Sequence, residues 1–241
     1  MFQKLCNNKF VCPICGNTDF PLLIVGSSFP ILSQLQVIGA GNREQKCHGC
    51  YSSDRDRLVY LYLCDIEKIF DENKKKTILH VAPENCIAKK LMEVHYINYI
   101  PIDSFEHGYT YPSYIRKMNL LNLQLKDSSI DYILCNHVLQ DISEDKKALS
   151  EIFRVLKKGG KAILQIPISP ILKSILEHKD LLTDGECEIR YGQRFHKRIY
   201  NESGYIQRLK EANFSVDVFS ISSNYPNNSL NSLEKVFVAK K

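Results

Sequence analysis

From residue 77 to residue 239, short apolar runs alternate with longer stretches in which apolar residues recur every three or four positions. This alternation restricts the fold more than any other feature of the chain. Residues 77–81, 99–102, 130–135 and 162–168 have the length and the Ile, Leu and Val content of buried strands, with a weaker candidate at 116–120. Between them, Ile87, Leu91 and Val94 mark one helix. Leu149, Ile152, Phe153 and Leu156 form one face of a second, predicted over residues 141–158. Lys157-Lys158-Gly159-Gly160 would end it, with cations at the negative pole and glycine as C-cap. A third helix over 202–212 precedes strands at 214–218 and 236–239. Such alternation predicts parallel βαβ units, hence an α/β fold with a doubly wound, mostly parallel sheet. The last two strands are joined by residues 222–233 without a helix and are expected to pair antiparallel.

The N-terminal quarter follows another rule. Cys12-Pro-Ile-Cys15 and Cys47-His-Gly-Cys50 are two matched pairs with 31 residues between them. Each pair presents two thiolates from one tight turn, and two pairs complete a tetrahedral Zn²⁺ site with bonds near ~2.3 Å. A closed four-sulfur set has no open coordination position, so this zinc is expected to be structural. Gly16 and Gly49 suit the turns, and His48 is read as an exposed turn residue. The apolar runs 22–25 and 35–38 predict a small β-ribbon between the pairs. From Ser52, a plausible N-cap, the apolar residues Leu58, Tyr62, Ile66 and Ile69 predict a helix. The charged run 71–76 reads as a solvated boundary. The expected organisation is a zinc-ribbon-like module at 1–52, a connecting helix at 53–73 and a sheet domain at 74–241.

Composition excludes several alternatives. With 44% hydrophobic and 24% charged residues, 241 residues can bury a core without disulfides. That frees the nine cysteines for metal binding or plain burial, and Cys6, Cys64, Cys86, Cys135 and Cys187 read as small buried hydrophobes. The net charge of +5 is too small to imply nucleic-acid binding by itself. Residues 20–42 are uncharged, but Pro21, Gly26, Pro30, Gln34 and Gln36 make them a poor membrane span. Lys4 and Lys9 are followed by a cysteine pair and not by a signal-peptide core. The expectation is a cytoplasmic protein with no membrane insertion.

In a doubly wound sheet, ligands sit beyond the carboxyl ends of the strands at the switch point. Here those ends are His80-Val81-Ala82-Pro83-Glu84, then Asp103, then Asn136-His137. Asp103 lies 21 positions beyond Ala82, the spacing at which an acidic residue accepts both hydroxyls of a ribose.

The segment from Asp127 through Asn136-His137, followed by Arg154-Val-Leu-Lys-Lys-Gly-Gly160, resembles the fourth strand, helix and turn of the class I S-adenosylmethionine-dependent methyltransferases. Leu79-His-Val-Ala-Pro-Glu84, the cysteine pairs, Arg55-Asp-Arg57-Leu58 and Gly192-Gln193…His196…Arg198-Ile-Tyr200 resemble a bacterial subgroup with an N-terminal four-cysteine zinc ribbon. The likeness covers nearly the whole chain. Lys158 stands where proline is usual and Asn119 where aspartate is frequent, but the departure that matters is the family's glycine-rich loop after the first strand, here Ala82-Pro83-Glu84. The resemblance implies a Rossmann-like fold and S-adenosylmethionine as cofactor. It places Ala82 and Glu84 in the cofactor loop, Asp103 on the ribose, Asn119 on the adenine amino group and Asn136 near the sulfonium. It puts His137, and secondly His196, on the acceptor side as general-base candidates; Arg198 and Tyr200 are candidates for shaping the acceptor pocket, with a surface arginine and a core tyrosine as the default readings. A small polar acceptor that is O-methylated, such as a surface-saccharide precursor, is favoured over nucleic acid. Two other readings stay open: an RNA methyltransferase reading RNA through Lys4, Lys9, Arg43, Lys46, Arg55 and Arg57, and an inactive methyltransferase-like binding protein.

Overall fold

The computed structural model describes residues 10–70, 75–106, 108–178 and 182–241. Strand β1 (Leu23–Val25) is followed by a short helix α1 (Pro30–Gln34), and then by β2 (Arg43–Lys46), which pairs antiparallel with β1. The expected second ribbon strand at 35–38 does not form. Pro30 starts a helix, where its missing N–H costs nothing. The chain then turns at Gln36, with φ of +50°, and Ile38 bridges to Ile168 of the main sheet domain. The polar segment Arg43–Lys46 takes the strand's place.

Two cysteine turns flank this ribbon. Gly16 N–H donates to Cys12 O in one, and Tyr51 N–H donates to Cys47 O in the other. Gly16 at φ +76° and Tyr51 at +59° occupy equivalent positions, so tyrosine fills the left-handed place in the second turn. Gly49 serves a different need. A Cβ there would lie 3.0 Å from Cys15 Sγ.

Helix α2 (Asp54–Leu61) begins one residue later than expected, with Ser53 N–H donating to Asp56 Oδ2 at 2.8 Å. It runs into a single π turn, Tyr62–Ile66. The wider turn shifts the helical phase, so Leu58, Tyr62 and Ile69 are buried while Ile66, predicted on the same stripe, is exposed.

The sheet domain then runs β3 (Lys76–Val81), α3 (Asn85–Met92), β4 (Ile97–Asp103), β5 (Arg116–Lys117), β6 (Ile130–Cys135), α4 (Asp145–Val155) and β7 (Leu156–Ile163). It continues through β8 (Leu176–Glu177), α5 (Asp184–Tyr191), β9 (Arg198–Ile199), α6 (Glu202–Glu211), β10 (Ser215–Phe219) and β11 (Val236–Lys240). Seven strands form one sheet in the order β10-β11-β7-β6-β3-β4-β5. β3 pairs parallel with both β4 and β6, which puts the topological switch point between β3 and β6. β11 pairs antiparallel with β10, as expected, across a connection whose one helical turn is the 3-10 segment Ser222–Asn224, and it also pairs antiparallel with β7.

Helix α4 is shorter than its sequence pattern. Leu156 is already extended opposite Ile130, and the register then slips to pair Lys161 with Tyr132. The Lys-Lys-Gly-Gly segment is therefore an irregularity within β7 and not a helix cap. Lys157 spends its charge on Asp131, with Nζ 2.8 Å from both carboxylate oxygens.

One apolar core packs α4 and α6 against the sheet; another joins α2, α3, β3 and β11 to Phe10, Ile14 and Leu22 of the N-terminal module. A third links Leu32 and Val37 to Cys187 and Tyr191 of α5. Cys86, Cys135 and Cys187 are buried as expected and Cys64 is half-buried, while Cys6 lies outside the described residues. Arg57 is buried completely and donates to the carbonyls of Gln45, Ser52, Asn228 and Ser229. It thereby ties the ribbon to the loop before β11. Among the described residues, no helix is long and apolar enough to cross a membrane.

Candidate active site

Beyond Val81 the chain crosses the end of β4, with Ala82 N–H donating to Ile102 O at 2.8 Å. Ala82 has φ of +47°. A left-handed conformation costs a non-glycine residue about 1–2 kcal/mol, so the glycine-free loop keeps a glycine-like turn at some expense in stability. Glu84 turns back from the edge: its Oε2 lies 2.7 Å from His80 Nε2, while Tyr99 Oη is 2.9 Å from His80 Nδ1. Burial pushes the Glu84 carboxyl up, but the His80 hydrogen bond carries it below its ordinary value. Asp103, half-buried, accepts from Phe105 N–H at 3.1 Å, and Phe105 stacks on Tyr111 with ring centres 4.3 Å apart. Asn119 is exposed and its Oδ1 accepts from Leu121 N–H at 2.8 Å, one of the two bonds a carbonyl oxygen can accept. Asn136 is buried at the end of β6, and its Nδ2 has no hydrogen-bond partner. A buried amide donor without a protein partner at the switch point has room for a ligand or a water to complete it.

At His137, with φ of +54°, the chain bends away and the N–H donates to Gln165 O at 2.7 Å. His137 and His196 line one cavity of about 160 Å³ together with Arg43, Arg55, Gln140 and Asp141, under residues 25–27 and 39–41 of the N-terminal module. Burial holds His137 well below its ordinary pKa, and the Arg55 and Arg43 charges add to this. Burial likewise pushes His196 down to about 4 despite its hydrogen bond to a backbone carbonyl. That bond joins His196 Nδ1 to Tyr191 O at 3.3 Å, so the proton is assigned to Nδ1 and the lone pair to Nε2, which lies 3.6 Å from Asp141 Oδ1. Glu234 Oε1 is 3.8 Å from His137 Nε2 and accepts from Gln165 Nε2 at 2.9 Å. Burial raises Asp141 to about 7 and Glu234 to about 8. Neutral imidazoles thus face largely protonated carboxyls. Of nine buried side-chain polar atoms without a partner among the described residues, seven belong to Asn136, His137, Gln140, Asp141, Gln165 and Glu234. Native interiors rarely tolerate such a concentration unless a ligand or water completes it.

The four sulfurs of Cys12, Cys15, Cys47 and Cys50 lie within 4.8 Å of one another, with Cys12–Cys50 at 3.6 Å and Cys15–Cys47 at 3.7 Å. A tetrahedron with ~2.3 Å bonds has edges of about 3.8 Å, so the set fits Zn²⁺. His48 faces outward with Nε2 2.8 Å from Pro21 O, apart from the sulfurs.

Residues 89–164 match the family model described as a methyltransferase domain. The segment is thus a methyltransferase domain by sequence, set in the Rossmann-like fold of the class I S-adenosylmethionine-dependent methyltransferases. A methyltransferase of Archaeoglobus fulgidus described as dependent on S-adenosylmethionine is similar in structure, with 15% identity, coverage of 76% of this chain and 93% of that one, and a TM-score of 0.50. The YcgJ protein of Bacillus subtilis is 14% identical, covering 76% and 99%, with a TM-score of 0.49. A Haloferax volcanii complex between the Trm112 methyltransferase activator and a methyltransferase gives 12% identity, coverage of 78% and 92%, and a TM-score of 0.48. No curated protein matches the chain.

Ala82, Asp103, Asn119 and Asn136 thus lie along the sheet edge, and His137 and His196 share the adjoining cavity. The Glu84 carboxylate faces His80, which leaves the loop backbone as that residue's means of meeting a ligand. Sequence reasoning missed Asp141, Gln140 and Glu234. Asp141 sits in what reads as a helix start, and Glu234 reaches His137 only because β11 inserts beside β7. Arg198, read as a surface cation, is buried and donates to the carbonyls of Leu139, Ile142 and Ser143, so it fixes the cavity floor. Of the cations considered for RNA, Arg57 is fully engaged inside and Arg43 is paired with Asp54, while Lys4 and Lys9 lie outside the described residues.

Proposed function

We propose that this protein transfers the methyl group of S-adenosylmethionine to an oxygen of a small polar acceptor bound in the His137–His196 cavity. The resemblance suggests a saccharide precursor as the acceptor class. The cluster of unpartnered polar atoms beside Asn136 carries this reading, because it joins a cofactor edge to an acceptor-sized space. When bound, S-adenosylmethionine supplies a methyl already activated by its sulfonium. Asp103 would hold the ribose hydroxyls, Asn119 the adenine amino group and Asn136 the region near the sulfur, while the Ala82 turn and the start of α3 face the cofactor's carboxylate. An acceptor hydroxyl must lie in line and lose its proton. His196 Nε2 is oriented for that proton by its Nδ1 bond to Tyr191 O, and His137 stands opposite. The four cysteines would hold zinc as a structural staple, and domains at 1–52, 53–73 and 74–241 meet at this cavity. RNA reading loses support because Arg57 and Arg43 are spent inside the fold.

A thermal-shift titration with S-adenosylhomocysteine tests the cofactor edge, since a ligand of the folded state raises the apparent Tm. Replacing His196 or His137 by Ala is expected to cut turnover roughly 10²-fold or more while sparing cofactor affinity. Unchanged turnover in both variants removes the histidines from the mechanism.

A further inference from the structure

We propose that the acceptor carries a compact anionic group, a carboxylate or a phosphate, and that Arg55 binds it. This rests on the methyltransferase reading and narrows its substrate class. Two arginines line the cavity, and they differ in how their charge is met. Arg43 is neutralised by Asp54, with Nε and Nη2 each within 3.1 Å of the carboxylate. Arg55 makes one hydrogen bond, from Nη1 to Gly39 O at 3.0 Å, and no carboxylate of the described residues lies within ion-pair distance. A guanidinium has five donors in a fixed fork that suits carboxylate and phosphate oxygens.

The nearby acids do not take up this charge. Asp56 is occupied by Ser53 N–H and Glu84 by His80. Burial raises Asp141 to about 7 and Glu234 to about 8, so neither is fully ionised near neutrality. The cavity thus holds an arginine that feels Asp56, Glu84, Asp141 and Glu234 at a distance but is directly paired with none of them, beside two neutral histidines. Gly39 fixes it there: at φ +79°, a Cβ would lie 2.9 Å from Glu234 Oε1 and 3.2 Å from His137 Cε1. The carbonyl that holds Arg55 therefore belongs to a residue pressed against the proposed base. An anion beside Arg55 would also offset one of the charges that depress His137 and His196, strengthening them as bases only when the acceptor is in place. At about 160 Å³ the space suits one small group and not a polymer.

Calorimetric titration of the full, zinc-loaded chain with glucuronate, glucose 6-phosphate and glucose, with and without S-adenosylhomocysteine, tests this. One anion is expected to bind at least about tenfold more tightly than glucose, the worth of a charge-assisted hydrogen bond, and which one it is distinguishes carboxylate from phosphate. Arg55→Gln should abolish that preference and Arg55→Lys should keep part of it, with circular dichroism confirming the fold. If Arg55→Gln fails to fold, the ¹⁵N shift of Arg55 Nε in the unaltered chain gives the readout and should move with the anion but not with glucose. Equal or undetectable binding of all three compounds, or a preference that survives Arg55→Gln, overturns the assignment. If S-adenosylhomocysteine fails to bind while the Arg55-dependent preference persists, the methyltransferase reading fails and the anion site stands.

Discussion

Ala82 shows how a family position can change residue and keep conformation. Its φ of +47° lies where glycine is at ease and alanine is strained. Ala82→Gly relieves that strain but gives the unfolded chain more freedom, so the net gain is expected to be about 0.5–1 kcal/mol, read from urea unfolding. A loss of stability instead would show that the alanine methyl packs usefully. Glu234 makes a prediction of the opposite kind. Burial raises its pKa from 4.5 to about 8, so its favourable contribution is complete below the unfolded value and is lost as pH rises through 8. Glu234→Gln keeps the shape without the titration. The variant should match the parent near pH 5 and exceed it by roughly 3–5 kcal/mol near pH 9, as measured by denaturation across that range. Parallel stability curves for the two proteins would mean that Glu234 titrates normally.

At the scale of elements, the turn from α2 into the sheet holds a compact polar network. Glu67 accepts from Tyr62 Oη at 2.6 Å and Tyr132 Oη at 2.9 Å, and pairs with Lys161 at 2.7 Å. Burial pushes its carboxyl up, yet these hydrogen bonds hold it below the ordinary value, so the stability it confers exists above pH ~4.5 and fades as pH falls. Glu67→Leu leaves Lys161 and two tyrosines without their acceptor and should cost about 2–4 kcal/mol, most of it recovered in Glu67→Leu/Lys161→Met. An additive double variant would show that the pair is not coupled. The π turn beside Glu67 also marks the limit of what sequence periodicity reveals. A spacing of 3.6 places Ile66 inward, and one wider turn puts it in solvent. Strands β3, β4 and β6 were legible because they are buried on both faces and bounded by polar residues. The ends of α4 were not, because amphipathic spacing cannot show that Leu156 pairs with Ile130 instead of closing the helix. Residues 35–38 misled in the same way: their apolar character serves contact with α5 and Ile168, not a ribbon strand.

At the scale of the whole molecule, the cavity is assembled from distant segments, and this explains why its residue types were legible but its membership was only partly so. His137 and His196 could be named from motifs at two points in the chain. That Arg55 and residues 39–41 line the cavity with them, and that Glu234 lies 3.8 Å from His137, depends on how the N-terminal module seats on the sheet domain. The seat has two fixings: the shared apolar cores, and Arg57, whose four carbonyl partners span the second cysteine turn and the loop before β11. Both depend on the cysteine turns keeping their shape. A structural zinc at the four sulfurs, as proposed, would contribute its binding as folding free energy, so its removal would act first on the ribbon and the cavity roof. The cofactor edge, made by the ends of β3, β4 and β6, contains no residue of the ribbon. Chelation, or Cys47→Ser, is therefore expected to lower Tm and to weaken acceptor binding by about tenfold or more, while S-adenosylhomocysteine affinity changes by less than about threefold. Titration of both ligands before and after metal removal makes the comparison. Equal losses at the two sites would mean that the ribbon supports the whole domain and not chiefly the acceptor cavity, whereas acceptor binding that survives demetallation would show that the roof holds its shape without the ion.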